Sequence, residues 1–175
     1  MKREKKIIVV SHCLLNCNSK VEGLSVFNGA HDVVRRITNE GYGIIQLPCP
    51  EMIMYGIKRW GHVKNQFDTP FFRSQCRSLL TPYIQQFKDY MENGYSIDSI
   101  IAVNYSPSCG YDKTCISRQC GGNSNETGEY NVEIANEKGV FIEILENMLK
   151  EENLNIKIIG LNEKEYDDSF EFLQE

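Results

Sequence analysis

The sequence contains no apolar run near the roughly 20 residues needed to span a bilayer, so a membrane protein is not expected. Its opening, Met1 to Lys6, is charged and leads into only four apolar residues, Ile7 to Val10. A secretory signal needs a longer apolar stretch, so a cytoplasmic, reducing compartment is expected. Paired C-x-x-C knuckles, the usual signature of structural zinc, are missing too. Basic residues are in deficit overall, with a net charge of −5; beyond residue 125, 14 acidic residues face only four basic ones. That balance argues against a general nucleic-acid binder, whose footprint is a basic face. The mildly basic first 125 residues suit a small anionic substrate instead. No internal repeat and no composition break marks a linker, so residues 1–175 read as a single domain.

What the chain does have is cysteine. Seven in 175 residues is many for a domain large enough to bury a core without cross-links. In a reducing compartment clustered cysteines point to metal or catalysis. Three occupy equivalent places. Ile7-Ile8-Val9-Val10 runs into Ser11-His12-Cys13. Gly43 to Leu47 runs into Pro48-Cys49-Pro50-Glu51. Ile100-Ile101-Ala102-Val103 runs into Asn104-Tyr105-Ser106-Pro107-Ser108-Cys109-Gly110. Each apolar run has the length and β-branched content of a buried strand.

Between the strands the apolar spacing turns helical. Phe27, Ala30, Val33, Val34 and Ile37 predict a helix from about Leu24 to Glu40. Phe72, Cys76, Leu79, Leu80, Tyr83, Ile84, Phe87 and Met91 predict the longest helix, from Thr69-Pro70 to about Asn93. Cys76 falls on that stripe and reads as a core thiol. A helix over Lys138 to Glu152, a strand over Ile156 to Gly160 and an acidic helix from about Glu163 to Leu173 complete the pattern. Residues 111–137 read as loop, and Glu51 to Thr69 as the least regular part. Alternating strands and helices imply an α/β domain: a four-stranded, mostly parallel sheet with helices on both faces. Ligands of such sheets bind at the carboxyl ends of the strands, where Cys13, Cys49 and Cys109 all fall.

Thiolates are soft ligands that select iron–sulfur clusters, zinc or Cu(I). Three well-separated thiolates suit a [4Fe–4S] cluster with one iron left open as a Lewis acid. Two residues past Cys49, Glu51 is placed for general acid–base work. Ser106 and Ser108 are placed to hydrogen-bond a substrate. Lys58 and Arg59, with Lys64, are candidates for a substrate phosphate, and Tyr55 or Trp60 for stacking on a base. Cys17, Cys115 and Cys120 read as spare thiols, with the latter two open to a fourth ligand role or to sulfur handling.

Cys13-Leu14-Leu15-Asn16, Cys49-Pro50-Glu51, Ser106-Pro107-Ser108-Cys109-Gly110, Gly139-Val140 and Gly160-Leu161-Asn162-Glu163 together resemble the thiouracil desulfidase (TudS) family over roughly residues 7–163. The resemblance implies a Rossmann-like three-layer sandwich carrying a [4Fe–4S] cluster on Cys13, Cys49 and Cys109. It also implies non-redox removal of sulfur from a thiolated pyrimidine base or nucleotide, assisted by Glu51 and by Ser106 or Ser108. The chain departs from the family pattern at Asn16, where glycine is usual, and at Gly56 to Trp60, which replaces a Pro-Arg-rich segment. The expected partner is thus a small thiolated molecule, with no membrane or large nucleic acid, and the protein a monomer or homodimer. Two other readings use the same cysteines: a non-catalytic cluster protein serving as sensor or sulfur carrier, and a zinc hydrolase.

Overall fold

A computed structural model describes residues 3–117, 131–167 and 170–171. Four strands form one sheet: β1 (Lys6–Val10), β2 (Gly43–Gln46), β3 (Ser96–Val103) and, last in the chain, β6 (Lys157–Leu161). Their order is β2-β1-β3-β6, and all three pairings are parallel. The expected sheet was mostly parallel; it is wholly so. Parallel neighbours need crossover connections, and here these are helical.

The crossovers lie on both faces. Helix α2 (Asp32–Asn39) links β1 to β2. The 23-residue α5 (Pro70–Glu92) links β2 to β3, and α6 (Val140–Glu151) precedes β6. Period-two alternation in the strands sorts the core between them. Ile7, Val9, Ile100 and Ala102 pack with Phe72, Leu80, Phe87 and Phe141 of α5 and α6; Ile8, Val10, Ile101 and Val103 pack with Val33 and Ile37 of α2. The chain is therefore an α/β three-layer sandwich of Rossmann-like type. Helix α5 starts where expected because Thr69 caps it, its Oγ1 accepting the Phe72 amide at 3.2 Å, and Pro70 occupies the first turn.

Several elements differ from expectation. The helix foreseen over 24–40 shrinks to α2, because Gly23 and Gly29 take left-handed φ of 81° and 67° that interrupt any helix. The stretch 21–31 is instead an irregular loop. The irregular 51–69 segment contains two short helices, α3 (Pro50–Tyr55) and α4 (Lys64–Phe67). Within 111–137, read as loop, β4 (Thr114–Ile116) pairs antiparallel with β5 (Glu133–Ala135). Three-residue strands are too short to leave a periodic signature. The foreseen acidic helix does not start: residues 162–167 form turns after β6, and positions 168–169 and 172–175 fall outside the described residues. Among the described residues no helix is long and apolar enough to cross a membrane.

Candidate functional site

The sheet order places β1 beside β3 while their outgoing connections leave on opposite faces, so the loops after them part and open a crevice. A cavity of about 430 Å³ lies there. Cys13, Cys49 and Cys109 all line it, delivered by the loops after β1, β2 and β3.

Each thiol is fixed by its own local structure. Cys13 sits in a single helical turn, α1 (His12–Leu15), pinned by the His31 amide on the Leu14 carbonyl at 2.8 Å. Cys49 is the residue capping α3, and its Sγ accepts the Met52 amide at 3.4 Å. The Cys109 amide donates to Ser106 Oγ at 3.0 Å, and the Cys109 carbonyl receives the Val103 amide at 3.0 Å.

The Cys109 loop is also gripped from outside. The first turn of α6 donates to it: the Val140 amide reaches the Pro107 carbonyl at 3.1 Å, and the Phe141 amide reaches the Ser108 carbonyl at 3.0 Å. This close approach requires Gly139, where a Cβ would stand 2.5 Å from the Ser108 carbonyl. Asn104, buried, organises the loop's other end. Its Oδ1 accepts the Asp112 amide at 3.0 Å, while its Nδ2 donates to Asp112 Oδ2 at 3.1 Å and Asn162 Oδ1 at 2.9 Å. Gly160 leaves room for that network: a Cβ there would come within 2.4 Å of Asn104 Oδ1.

Glu51 lies against the three thiols and is buried, with 8% of its surface exposed. One oxygen, Oε1, accepts the Ser108 hydroxyl at 2.5 Å; the other accepts Arg59 Nε at 3.3 Å. Arg59 is buried as well and is fully engaged, donating also to the Ser19 and Gly56 carbonyls at 2.7 and 3.2 Å. Ser106 and Ser108 hydroxyls lie 3.3 Å apart on the same wall. Glu51, Ser106 and Ser108 thus meet the three cysteines in one place.

The remaining sequence candidates are distributed otherwise. Arg59 lines the cavity, but as the clamp on Glu51. Lys58, Tyr55 and Trp60 are exposed and stand outside the cavity wall. Trp60 stacks on His62, and Tyr55 packs against His62, Phe67 and Phe72. Lys64 points elsewhere, to Glu137 and Glu143. Cys115 joins the wall, its Sγ 3.6 Å from the His62 carbonyl. Cys17 is not part of the cavity lining, and Cys120 lies outside the described residues. Sequence reasoning assigned no role to Asn104, Lys20 or Glu163. Lys20 and Glu163 form an ion pair in the cavity wall, 143 residues apart in the chain, a spacing at which pattern gives no signal.

Burial pushes the Cys13 thiol up to about 12, with Glu163 adding to the effect. It also pushes Cys109 well above the ordinary thiol range, and there the neighbouring Cys49 and Cys13 contribute, because three thiolates repel one another. Cys49 moves in the same direction, again through burial. Three protonated thiols are the state this pocket favours on its own; an electropositive group among them would reverse that balance. No three His, Cys, Asp or Glu side chains among the described residues close on a point as ligands of a single ion do. A cluster offers each thiol a separate iron and spreads its ligands more widely. The three thiols at the strand ends are the chemistry that such clusters take, and Cys115 and His62 stand in the same wall.

No protein-family profile matches the chain, and no solved structure matches it. Among curated proteins it is similar to the uncharacterized protein MJ0003 of Methanocaldococcus jannaschii, at 42% identity over 106 residues. The match takes in 60% of this chain and 67% of the archaeal one. The chain belongs to the same family as that archaeal protein.

Proposed function

We propose that the protein is a non-redox desulfidase that replaces the sulfur of a thiolated pyrimidine, as base or nucleotide, with oxygen from water. The observation that carries this reading is the meeting of Cys13, Cys49 and Cys109 with a buried, doubly held Glu51 in one cavity. Cys13, Cys49 and Cys109 would hold a [4Fe–4S] cluster, which supplies an iron without a protein ligand as a soft Lewis acid for a thiocarbonyl sulfur.

The chain's own residues supply the rest. The net change is C=S plus water giving C=O plus hydrogen sulfide, so no electron is gained or lost. Water attacks the thiocarbonyl carbon, and its proton needs a base. Glu51 Oε1 is that base, beside the thiols and already in a hydrogen bond with Ser108. Arg59 holds the second oxygen, so the carboxylate cannot rotate away from the reacting carbon. Ser108, with Ser106 beside it, passes a proton between Glu51 and the substrate ring. The apolar side chains Leu24, Val26, Val103 and Pro107 flank the ring and limit the water that enters.

An acid–base group is worth roughly 10²- to 10⁴-fold in rate. After anaerobic purification, Glu51→Gln is expected to keep iron and acid-labile sulfide at wild-type levels while sulfide release from 4-thiouracil falls by about that factor. Cys49→Ala is expected to lose iron and labile sulfide together. A Glu51→Gln protein with full turnover would sink the enzyme reading and leave the sensor or carrier. Stoichiometric zinc without labile sulfide would exclude the cluster.

A further inference from the structure

Two of the three cations lining the cavity are each matched to a carboxylate. Among the described residues its lining carries Lys20, Arg59 and Lys164 against Glu51, Glu163 and Glu165. Arg59 is spent on Glu51 and two backbone carbonyls. Lys20 is spent on Glu163, and both side chains are largely withdrawn from solvent, at 14% and 11% exposure. Lys164 is exposed and flanked in sequence by the two glutamates. Lys58, the other candidate for a phosphate, stands outside the wall. No buried cation remains unpaired to meet an incoming anion.

The rest of the wall is mostly apolar, with Val21, Leu24, Val26, Val103 and Pro107; its polar groups are hydroxyls, amides and thiols, and His62, which stacks on Trp60. A phosphate monoester brings a charge of about −1.5 to −2. It would exchange full hydration for a wall that already holds the buried Glu51 and the largely withdrawn Glu163, a desolvation without a compensating pair. A ring or nucleoside loses far less on entry, and about 430 Å³ accommodates either.

We infer that the cavity selects an uncharged thiolated base or nucleoside over its phosphate ester, and that Glu163, by neutralising Lys20, is the residue that sets this preference. The inference rests on the desulfidase reading and narrows its substrate. It gives the ion pair a function in discrimination: the lysine is available to a phosphate only once its carboxylate is gone. Glu163 is suited to that role because its Oε2 meets Lys20 while its Oε1, also buried, has no hydrogen-bond partner. An amide in its place keeps the shape and removes the charge.

Calorimetric titration of the cluster-loaded protein with uridine and uridine 5′-monophosphate reads the preference without turnover. Sulfide release from 4-thiouracil, 4-thiouridine and its 5′-monophosphate is measured in parallel. Uridine is expected to bind at least roughly tenfold more tightly than its monophosphate, and Glu163→Gln to narrow that ratio by about tenfold or more through tighter monophosphate binding. Lys20→Gln, which leaves the carboxylate without its cation, is expected to widen it. A wild-type protein that binds the monophosphate as well as the nucleoside, yet releases sulfide from 4-thiouracil, overturns this inference and spares the desulfidase reading. An unchanged ratio in both variants overturns the role of Glu163. Absence of binding and of sulfide release with every compound removes the desulfidase reading and this inference together.

Discussion

A buried arginine is costly unless its donors are met, and Arg59 shows how that cost is turned to use. All three of its nitrogens donate, one to Glu51 and the others to carbonyls of the flanking loops. It therefore ties the loop after β1, through Ser19, to helix α3, which carries Glu51. The cysteines divide by surroundings rather than by type. Cys76 is fully buried on α5 among apolar side chains, and burial pushes its thiol up to about 12. The sign of the resulting pH effect follows directly. In the unfolded chain a thiol ionises near its ordinary value, whereas in the folded chain it stays protonated until about pH 12. The contribution is therefore intact below the unfolded value and is lost as pH rises toward the folded one. Urea unfolding of wild type and Cys76→Ala at pH 8 and pH 10 tests this. The wild type is expected to lose more stability over that interval, by up to about 1.4 kcal/mol for each pH unit above the unfolded value.

Helix α6 reaches beyond the core with its first turn, which holds the Pro107 and Ser108 carbonyls and hence the orientation of Cys109. The arrangement tolerates no side chain at 139. Gly139→Ala would drive a methyl group into the Ser108 peptide at 2.5 Å, so either the helix or the loop must retreat. The expected cost is about 1–3 kcal/mol in thermal or urea unfolding and, on the cluster reading, a larger loss of iron after anaerobic reconstitution than the stability change alone would give. Elements of this kind differ in how plainly the sequence announces them. Helix α5 was legible because eight apolar residues keep helical spacing between a capping Thr69-Pro70 and Gly94. The ends of the first three strands were legible because each apolar run gives way to polar or proline residues that lead to a cysteine a few positions on. The loop over 21–31 was not: Phe27 and Ala30 continue a helical spacing, but Gly29 at φ 67° breaks the helix between them. Nor could spacing join Lys20 to Glu163 or Glu51 to Arg59, because tertiary folding alone determines which charges share a buried wall.

At the level of the whole molecule, the sheet and its two covering layers are complete without any group in the cavity. The buried clusters run through α2, α5 and α6; of the three thiols beyond the strand ends, Cys13 and Cys109 only pack against their margins as partly buried residues. If the three thiols hold the proposed cluster, its removal is therefore expected to leave a folded protein, unlike a zinc finger, whose metal supplies its folding energy. Iron-free protein should keep its far-ultraviolet circular dichroism and a single cooperative melting transition; loss of both would mean that the thiols are part of the scaffold after all.

The placement of β1 between β2 and β3 carries a consequence for biosynthesis. Cys13 leaves the ribosome early and Cys49 can join it once the second strand pairs with the first, but Cys109 reaches them only after the third strand has docked on the other side, nearly a hundred residues after Cys13. Until then the set of three is incomplete. On the cluster reading proposed above, iron and sulfide are delivered only to a largely finished protein, which makes the order of maturation a property of strand order.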